Sequence, residues 1–147
     1  MAAANDVDGA VALLRLTRAR FDALGEPSEM RATDLVLAEV LLGGGRTAEA
    51  AEALALAVES AGPETVLTPA MHRLIGRHHA SEDRLDEARL MLLAGLEVAR
   101  RETNRFEVGL LLLEIAALER RDGNADDGNE RRAREILDRM GVLVSRR

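Results

Sequence analysis

Apolar side chains recur every three or four positions along nearly the whole chain. This period places residues on one face of an α-helix, and no stretch keeps the two-residue alternation of a strand. Seven such segments are separated by short runs of glycine, proline and polar residues. The pattern predicts an all-α protein of about seven helices, paired as antiparallel hairpins.

The predicted elements are a leading helix followed by three helical hairpins. The leading helix covers residues 8–25, and the hairpins cover 29–61, 68–101 and 104–141, the last one closing the carboxy-terminal end. The length of 147 residues is that of a single domain with a substantial core. We therefore expect one domain over residues 1–147.

Side chains that accept hydrogen bonds precede several of the predicted helices. Thr68 is followed by Pro69, and proline is favoured at the first helical position because its missing N–H is not needed there. Asn104 has Glu107 three residues later, which resembles a capping box. Two further caps are predicted at the second and third helices, at Ser28 and Thr47.

Small residues repeat at a fixed spacing in three segments. Ala38, Gly76 and Ala116 follow one another at intervals of 38 and 40 residues. In the first two segments an alanine follows twelve residues later on the next helix, at Ala50 and Ala88. Because small residues on both helices let two backbones approach closely, this spacing predicts tight hairpins.

This pattern resembles the tetratricopeptide repeat. That consensus has leucine-glycine and tyrosine in the first helix, glycine at the turn, and alanine, phenylalanine and alanine in the second. Here Gly76 fits the first helix and His79 occupies the tyrosine position, while leucines replace the phenylalanine and the period exceeds about 34 residues. The resemblance implies a degenerate repeat, with hairpins stacked as a short α-solenoid whose concave face binds a protein or peptide.

A narrower resemblance covers roughly residues 70 to 145. The segments "ARRETNRFEVGLLLLEIAALERRDGN" and "RAREILDRMGVLVS" are similar to the carboxy-terminal repeat region of large bacterial, actinobacterial-type signalling proteins. In those proteins a cyclase-like or DNA-binding domain and an ATPase module precede the repeats. The resemblance implies a regulatory or scaffolding region. It leaves open a small-molecule sensor region of a signalling ATPase or transcriptional regulator.

Composition narrows the classes of function. The net charge is −6, and the chain has only two aromatic side chains, both phenylalanine. Nucleic acid needs a concentrated positive surface and is not expected as a partner. The apolar runs are far shorter than the roughly 20 residues that span a bilayer, so no membrane partner is expected either. We expect a cytoplasmic protein.

The glycine triplet in "VLLGGGRTAEA" has two interpretations, a phosphate-binding loop or a turn between helices. A phosphate loop needs a preceding strand and a lysine next to a serine or threonine. No strand is predicted before Gly43, and the chain contains no lysine. The triplet therefore predicts a turn with Gly45 at the turn position. Gly43→Ala and Gly44→Ala are expected to be nearly neutral unless φ is positive there, and Gly45→Val is expected to destabilise the hairpin.

No arrangement of residues predicts catalysis, a metal site or a cofactor. The three histidines, His72, His78 and His79, lack the ligand spacing of a zinc site, and there is no cysteine. The acidic loop before the last helix lacks the ligand spacing of a calcium loop. The carboxylates are expected on solvated faces, and we expect a protein that is not an enzyme.

The sixth helix and the arginines provide the candidate partner site. "RFEVGLLLLEIAALERR" is apolar on more than one face, which is typical of a helix packed between neighbours, although an exposed patch for dimerisation at an open solenoid end fits as well. Arg73 and Arg77 are one helical turn apart and are predicted to hold a peptide carboxylate, the alternative being ordinary surface ion pairs. The predicted partner-binding residues are Glu39, Arg73, Arg77, Leu110, Leu113 and Arg120.

Overall fold

The computed structural model describes residues 2–62, 67–123 and 127–142, with side chains from Asp6 onwards. The described residues contain seven α-helices and no strand, which confirms the predicted fold class. In chain order the helices are α1 Ala2–Leu24, α2 Pro27–Gly43, α3 Thr47–Ala61, α4 Pro69–Ser81, α5 Leu85–Arg101, α6 Arg105–Arg121 and α7 Gly128–Arg139.

The helices group into two compact units. The first unit covers Met1–Leu67 and contains α1 to α3, and the second covers Thr68–Arg147 and contains α4 to α7. The prediction of one domain and of a stacked solenoid along the whole chain remains a prediction.

In the first unit, α2 packs against both α1 and α3. The small residues predicted to lie between the hairpin helices, Ala38 and Ala50, are both completely buried. Asp34 lies among this apolar surface and is 1% exposed. Its Oδ1 atom accepts a hydrogen bond of 2.7 Å from Arg18 Nε, which ties α1 to α2.

In the second unit, α6 packs against α4, α5 and α7. Helix α6 therefore lies between neighbours, as its apolar circumference predicted. One cluster of buried apolar side chains lies on α5, α6 and α7: Ala88, Leu92, Leu96, Ala99, Leu111, Leu112, Ile115, Leu118 and Ala133. Met71 and Leu74 of α4 are also buried.

Glycines set the distance between the paired helices of the second unit. A Cβ added to Gly76 would lie 2.8 Å from Leu92 Cγ and 3.3 Å from the carbonyl oxygen of Ala88. A Cβ added to Gly109 would lie 2.7 Å from Leu137 Cγ. Both carbon–carbon separations are shorter than van der Waals contact, so a larger residue forces the helices apart.

Two of the four predicted helix caps are confirmed. Thr68 Oγ1 accepts a hydrogen bond of 3.3 Å from the backbone N–H of Met71, and Asn104 Oδ1 accepts one of 3.2 Å from that of Glu107. In a full capping box the carboxylate of Glu107 would also accept a hydrogen bond from the backbone N–H of Asn104. Here that carboxylate binds Arg73 instead.

The caps predicted at Ser28 and Thr47 are wrong. Helix α2 begins at Pro27 with Glu26 as its N-cap residue, so Ser28 is already inside the helix. Helix α3 begins at Thr47 itself, and its N-cap residue Arg46 makes no side-chain cap hydrogen bond. In each case the helix includes the residue predicted to cap it. Proline suits the first turn of α2. Before α3, Arg46 forms a local ion pair with Glu49 and a tertiary one with Asp8.

The turns after α2, α4 and α5 share one backbone geometry in which a single residue has positive φ. Gly45 has φ of 75°, and its turn closes with hydrogen bonds from Arg46 N–H to Leu41 O and from Gly45 N–H to Leu42 O. This pair of bonds is the Schellman motif. The equivalent residues after α4 and α5 are Asp83 and Thr103, with φ of 60° and 55°.

The three glycines of the triplet have different environments. Gly43 is the exposed last residue of α2, and Gly45 occupies the predicted turn position with positive φ. Gly44 has φ of −88°, yet a Cβ added to it would lie 2.9 Å from Val7 Cγ1 on α1. Gly44 is exposed, but its neighbour on α1 leaves little room for a Cβ, so the neutrality of Gly44→Ala stays a prediction that depends on how far Val7 can move.

We expect the three substitutions to differ in the free energy of unfolding measured by urea denaturation. Gly43→Ala should change it little or raise it by up to about 1 kcal/mol, since alanine favours the helix. Gly44→Ala should lower it by about 1 kcal/mol through the contact with Val7. Gly45→Val should lower it by about 2 kcal/mol through strain at positive φ.

The matched control is Val7→Ala, which makes room beside residue 44. Combined with Gly44→Ala, it should remove most of the penalty that Gly44→Ala causes in the wild-type background. Equal stability of the three glycine variants would show that this turn geometry is wrong.

Thr103 is the other position where the backbone predicts a change in stability. A β-branched residue at φ of 55° is strained, and glycine is not. Thr103→Gly should therefore raise the free energy of unfolding by roughly 0.5–1 kcal/mol, the strain relieved less the entropy of the glycine in the unfolded chain. Thr17→Gly, inside α1, is the control and should lower stability.

Candidate partner-binding surface

One side of α6 carries apolar side chains that the neighbouring helices leave partly open. Phe106, Leu110, Leu113 and Ala117 are spaced by four, three and four residues and so share a face of the helix. Phe106 is 40% exposed and the other three are half-buried. We call these four residues the α6 stripe.

The edge of α6 that faces α4 is fixed by a buried ion pair. Arg73 is 6% exposed and Glu107 is 7% exposed. Arg73 Nε donates to Glu107 Oε2 at 2.9 Å, and Arg73 Nη2 donates to Oε1 at 3.3 Å. This two-point geometry orients both side chains and joins the start of α6 to α4.

One helical turn farther along α4, the second predicted arginine is more open. Arg77 is half-buried, and its Nε lies 3.9 Å from Glu114 Oε1. At that distance the two groups attract each other without a hydrogen bond. No side-chain hydrogen bond of Arg77 is found among the described residues, and its side chain is 22% exposed at this edge of the stripe.

The opposite edge of α6 faces α7 and is also charged. Arg120 Nη1 donates to Glu130 Oε2 at 2.8 Å, and Arg134 Nη2 donates to Oε1 of the same carboxylate at 3.0 Å. Hydrogen bonds from Arg134 and charge from both arginines lower the pKa of Glu130. The α6 stripe thus lies between the loose Arg77–Glu114 pair and a closed network around Glu130.

The structure brings most of the predicted partner residues to one surface. Arg77, Leu110, Leu113 and Arg120 all border or form the α6 stripe. Arg73 is on the same side of α4, but it is buried with Glu107 and supports the surface, whereas Arg77 is the more exposed of these two arginines.

Glu39, the remaining predicted residue, is half-buried on α2 in the first unit and takes part in an electrostatic or hydrogen-bonding contact. Its role in partner binding stays a prediction.

Sequence reasoning did not identify the acidic partners that organise this surface. Glu107 and Glu114 are 34 and 37 residues away from the arginines they face, so no local pattern connects them. The one signal in the sequence was the repeat spacing of 38 to 40 residues, which brings the first helices of successive hairpins together.

The histidines are part of the α4 packing and form no cluster. The described residues contain no group of three or more His, Asp or Glu side chains able to hold a metal ion. His72 Nδ1 lies 3.1 Å from Met91 Sδ on α5, and His78 Nε2 lies 3.1 Å from Glu82 Oε1. The acidic loop considered for calcium falls partly on residues 124–126, outside the described residues.

The glycine triplet leads into an ion-pair network. Arg46 donates two hydrogen bonds of 2.8 Å to the carboxylate of Glu49 and a third of 2.8 Å to Asp8. Hydrogen bonding from Arg46, reinforced by Arg15, lowers the pKa of Glu49. Because this carboxylate occupies the first turn of α3, the cation beside the triplet is already neutralised within the protein.

None of the helices in the described part of the chain is long and apolar enough to cross a membrane. Comparison of the chain with protein-family models, with curated proteins and with solved structures finds no match.

The two arginines of α4 should differ sharply in their effect on stability. Glu107→Leu or Arg73→Met breaks the buried pair and should lower the free energy of unfolding by about 3–5 kcal/mol in urea denaturation. Arg77→Met removes only a half-exposed, loose pair and should cost less than about 1 kcal/mol.

The double variant Arg73→Met with Glu107→Leu removes both buried charges together. It should recover most of the stability lost in either single variant, since two apolar side chains of similar size need no partner. A double variant as unstable as the sum of the two singles would contradict a direct pairing of these groups.

Proposed function

We propose that this protein is a non-catalytic protein-interaction module, acting as a regulatory or scaffolding tetratricopeptide-like region of a bacterial signalling protein in the cytoplasm. In this proposal the α6 stripe and Arg77 bind a peptide or helix of a partner protein. The observation that carries it is the position of an arginine with no internal hydrogen bond, among the described residues, beside a partly open apolar stripe.

The α6 stripe and Arg77 contribute to binding in different ways. The α6 stripe supplies apolar area, including an aromatic side chain, which is the type of residue that contributes most at protein interfaces. Arg77 supplies a planar donor group that matches a carboxylate at two points, which fixes the register of a bound segment. A partner segment with an acidic residue next to apolar ones fits both requirements.

Charge distribution supports a local rather than a long-range mode of recognition. Residues 68–147 contain fifteen acidic and fifteen basic side chains, so the net charge of −6 resides in residues 1–67. A neutral unit does not steer charged partners over long distances. Specificity in the second unit then depends on individual charged side chains that interact weakly with their neighbours. Arg77, 3.9 Å from Glu114, fits this description better than Arg120, which is hydrogen-bonded to Glu130.

A small-molecule sensor is the alternative function, and a groove on α5 is one candidate site for its ligand. A groove of about 510 Å³ lies on α5, lined by Leu93, Leu96, Glu97, Arg100 and Arg101. Small-molecule sites usually enclose most of the ligand between several elements. The described lining of this groove comes from a single helix, which suits a surface contact better than an enclosed ligand.

A peptide-display selection on the full chain tests the proposal. Dissociation constants of selected peptides would be compared between the wild type, Arg77→Met and Phe106→Asp. Each substitution should weaken binding by about tenfold or more, as expected for the loss of an anchor residue. Leu93→Asp is the matched control, since Leu93 is an exposed leucine on α5 outside the stripe, and its affinity should stay at the wild-type value.

The proposal fails if the selected peptides bind the wild type and the three variants with equal affinity. It also fails if Leu93→Asp is the one variant that weakens peptide binding. The second result would transfer the binding site to α5. Unfolding curves measured for each variant separate a binding defect from a loss of structure, because the side chains of Arg77 and Phe106 are not part of the buried core.

A further inference from the structure

All three histidines of the chain lie on α4, within eight residues of one another. The first unit contains none. Two of the three, His72 and His79, are packed in ways that suit an uncharged imidazole and not its protonated form.

His72 is packed against α5. Its Nδ1 atom lies 3.1 Å from Met91 Sδ, and a Cβ added to Gly95 would lie 2.5 Å from the Cβ of His72. A thioether sulfur is a weak acceptor and the glycine offers no side chain, so this contact provides little to stabilise an imidazolium. Burial alone lowers the pKa of His72.

His79 is half-buried, and its Nδ1 atom is completely buried with no hydrogen-bond partner among the described residues. Protonation would convert this nitrogen into a second N–H donor, and a buried donor without an acceptor is costly. Burial is the main cause that lowers the pKa of His79.

The charges around His79 come from α4, from the turn and from the neighbouring helices. Arg84 on the turn and His78 on α4 oppose its protonation, whereas Glu87 on α5 and Glu82 at the end of α4 favour it. Helix α6 brings Arg121 to the carbonyl of Ala80 and to Asp83, at the same end of α4. Because these charges partly cancel, burial is the main cause of the lowered pKa of His79.

We propose that His72 and His79 form a pH-sensitive lock on the α4–α5 hairpin, closed while both side chains are uncharged and loosened when either takes up a proton. A folded-state pKa below the ordinary value of 6.5 means that the folded form is favoured above that pH. The stability is lost as the pH falls below 6.5 and through the lower folded-state values.

The lock has a consequence for partner binding that rests on the proposed function. Arg73 and Arg77 reach α6 from the same helix that carries the two histidines. Loosening α4 therefore removes the cation from the edge of the α6 stripe, and acidification should release a bound peptide. The lock itself is defined without any partner.

Hydrogen exchange on the full chain between pH 7.5 and 5.5 tests the lock, with rates corrected for intrinsic pH dependence. Protection of the amides in α4 and α5 should fall about tenfold more than protection in α2 and α3, the histidine-free reference within the same molecule. The variant His72→Leu with His79→Leu should abolish this difference. His78→Gln should keep it, because His78 has the carboxylate of Glu82 as a partner.

A proton NMR titration of the wild type provides a second measurement if the double variant does not fold. The ring signals of His72 and His79 should titrate below pH 6.5 together with the loss of protection in α4 and α5. The lock is excluded by equal changes of protection in both units. It is equally excluded if either ring titrates at or above pH 6.5 while α4 and α5 keep their protection.

Peptide affinity measured at the same pH values separates the lock from the proposed function. If hydrogen exchange in α4 and α5 responds to pH but no peptide binds, the lock is supported and the partner surface is rejected. Peptide binding that is independent of pH, with unchanged exchange, would reject the lock and retain the surface.

Discussion

The close approach of paired helices at small residues is the constraint on which the second unit depends. Gly76 lets α4 lie directly on Leu92 and the backbone of α5, and Gly109 lets α6 lie on Leu137 of α7. These contacts determine the spacing of the helices, and the leucines fill what the glycines leave open. Ion pairs then join α4 to α6, through Arg73 with Glu107 and Arg77 with Glu114.

The two arginines of α4, Arg73 and Arg77, have different structural roles. Arg73 is drawn into the interface and bound at two points by Glu107, so it joins helices instead of offering a charge to solvent. Arg77, one turn later, meets Glu114 only at 3.9 Å. The same residue type, four positions apart, is structural in one place and available for recognition in the other, since burial and partner distance decide what a guanidinium does.

The turns show how far local chemistry determines a conformation. The glycine pattern identified Gly45 as a turn residue because glycine adopts positive φ without strain, and the structure has it at 75°. The equivalent residue after α5 is a threonine, which no local rule would choose for φ of 55°. Its turn closes with the same pair of hydrogen bonds as the turn at Gly45, from Asn104 N–H to Ala99 O and from Thr103 N–H to Arg100 O, and that motif requires positive φ at Thr103.

Local signals in the sequence were enough to establish the fold class, the number of helices and the positions of two helix caps. Their causes are apolar periodicity, helix-favouring residues, and side chains that accept the first free N–H groups of a helix. The same periodicity indicated the α6 stripe as one face of an apolar helix. The packing of the helices on one another produced the features that no local signal contains. It placed Val7 beside Gly44, gave Arg73 a buried partner 34 residues away, and left Nδ1 of His79 without a partner among the described residues. These features depend on which helices meet and how closely, and that is set by contacts between residues far apart in the chain.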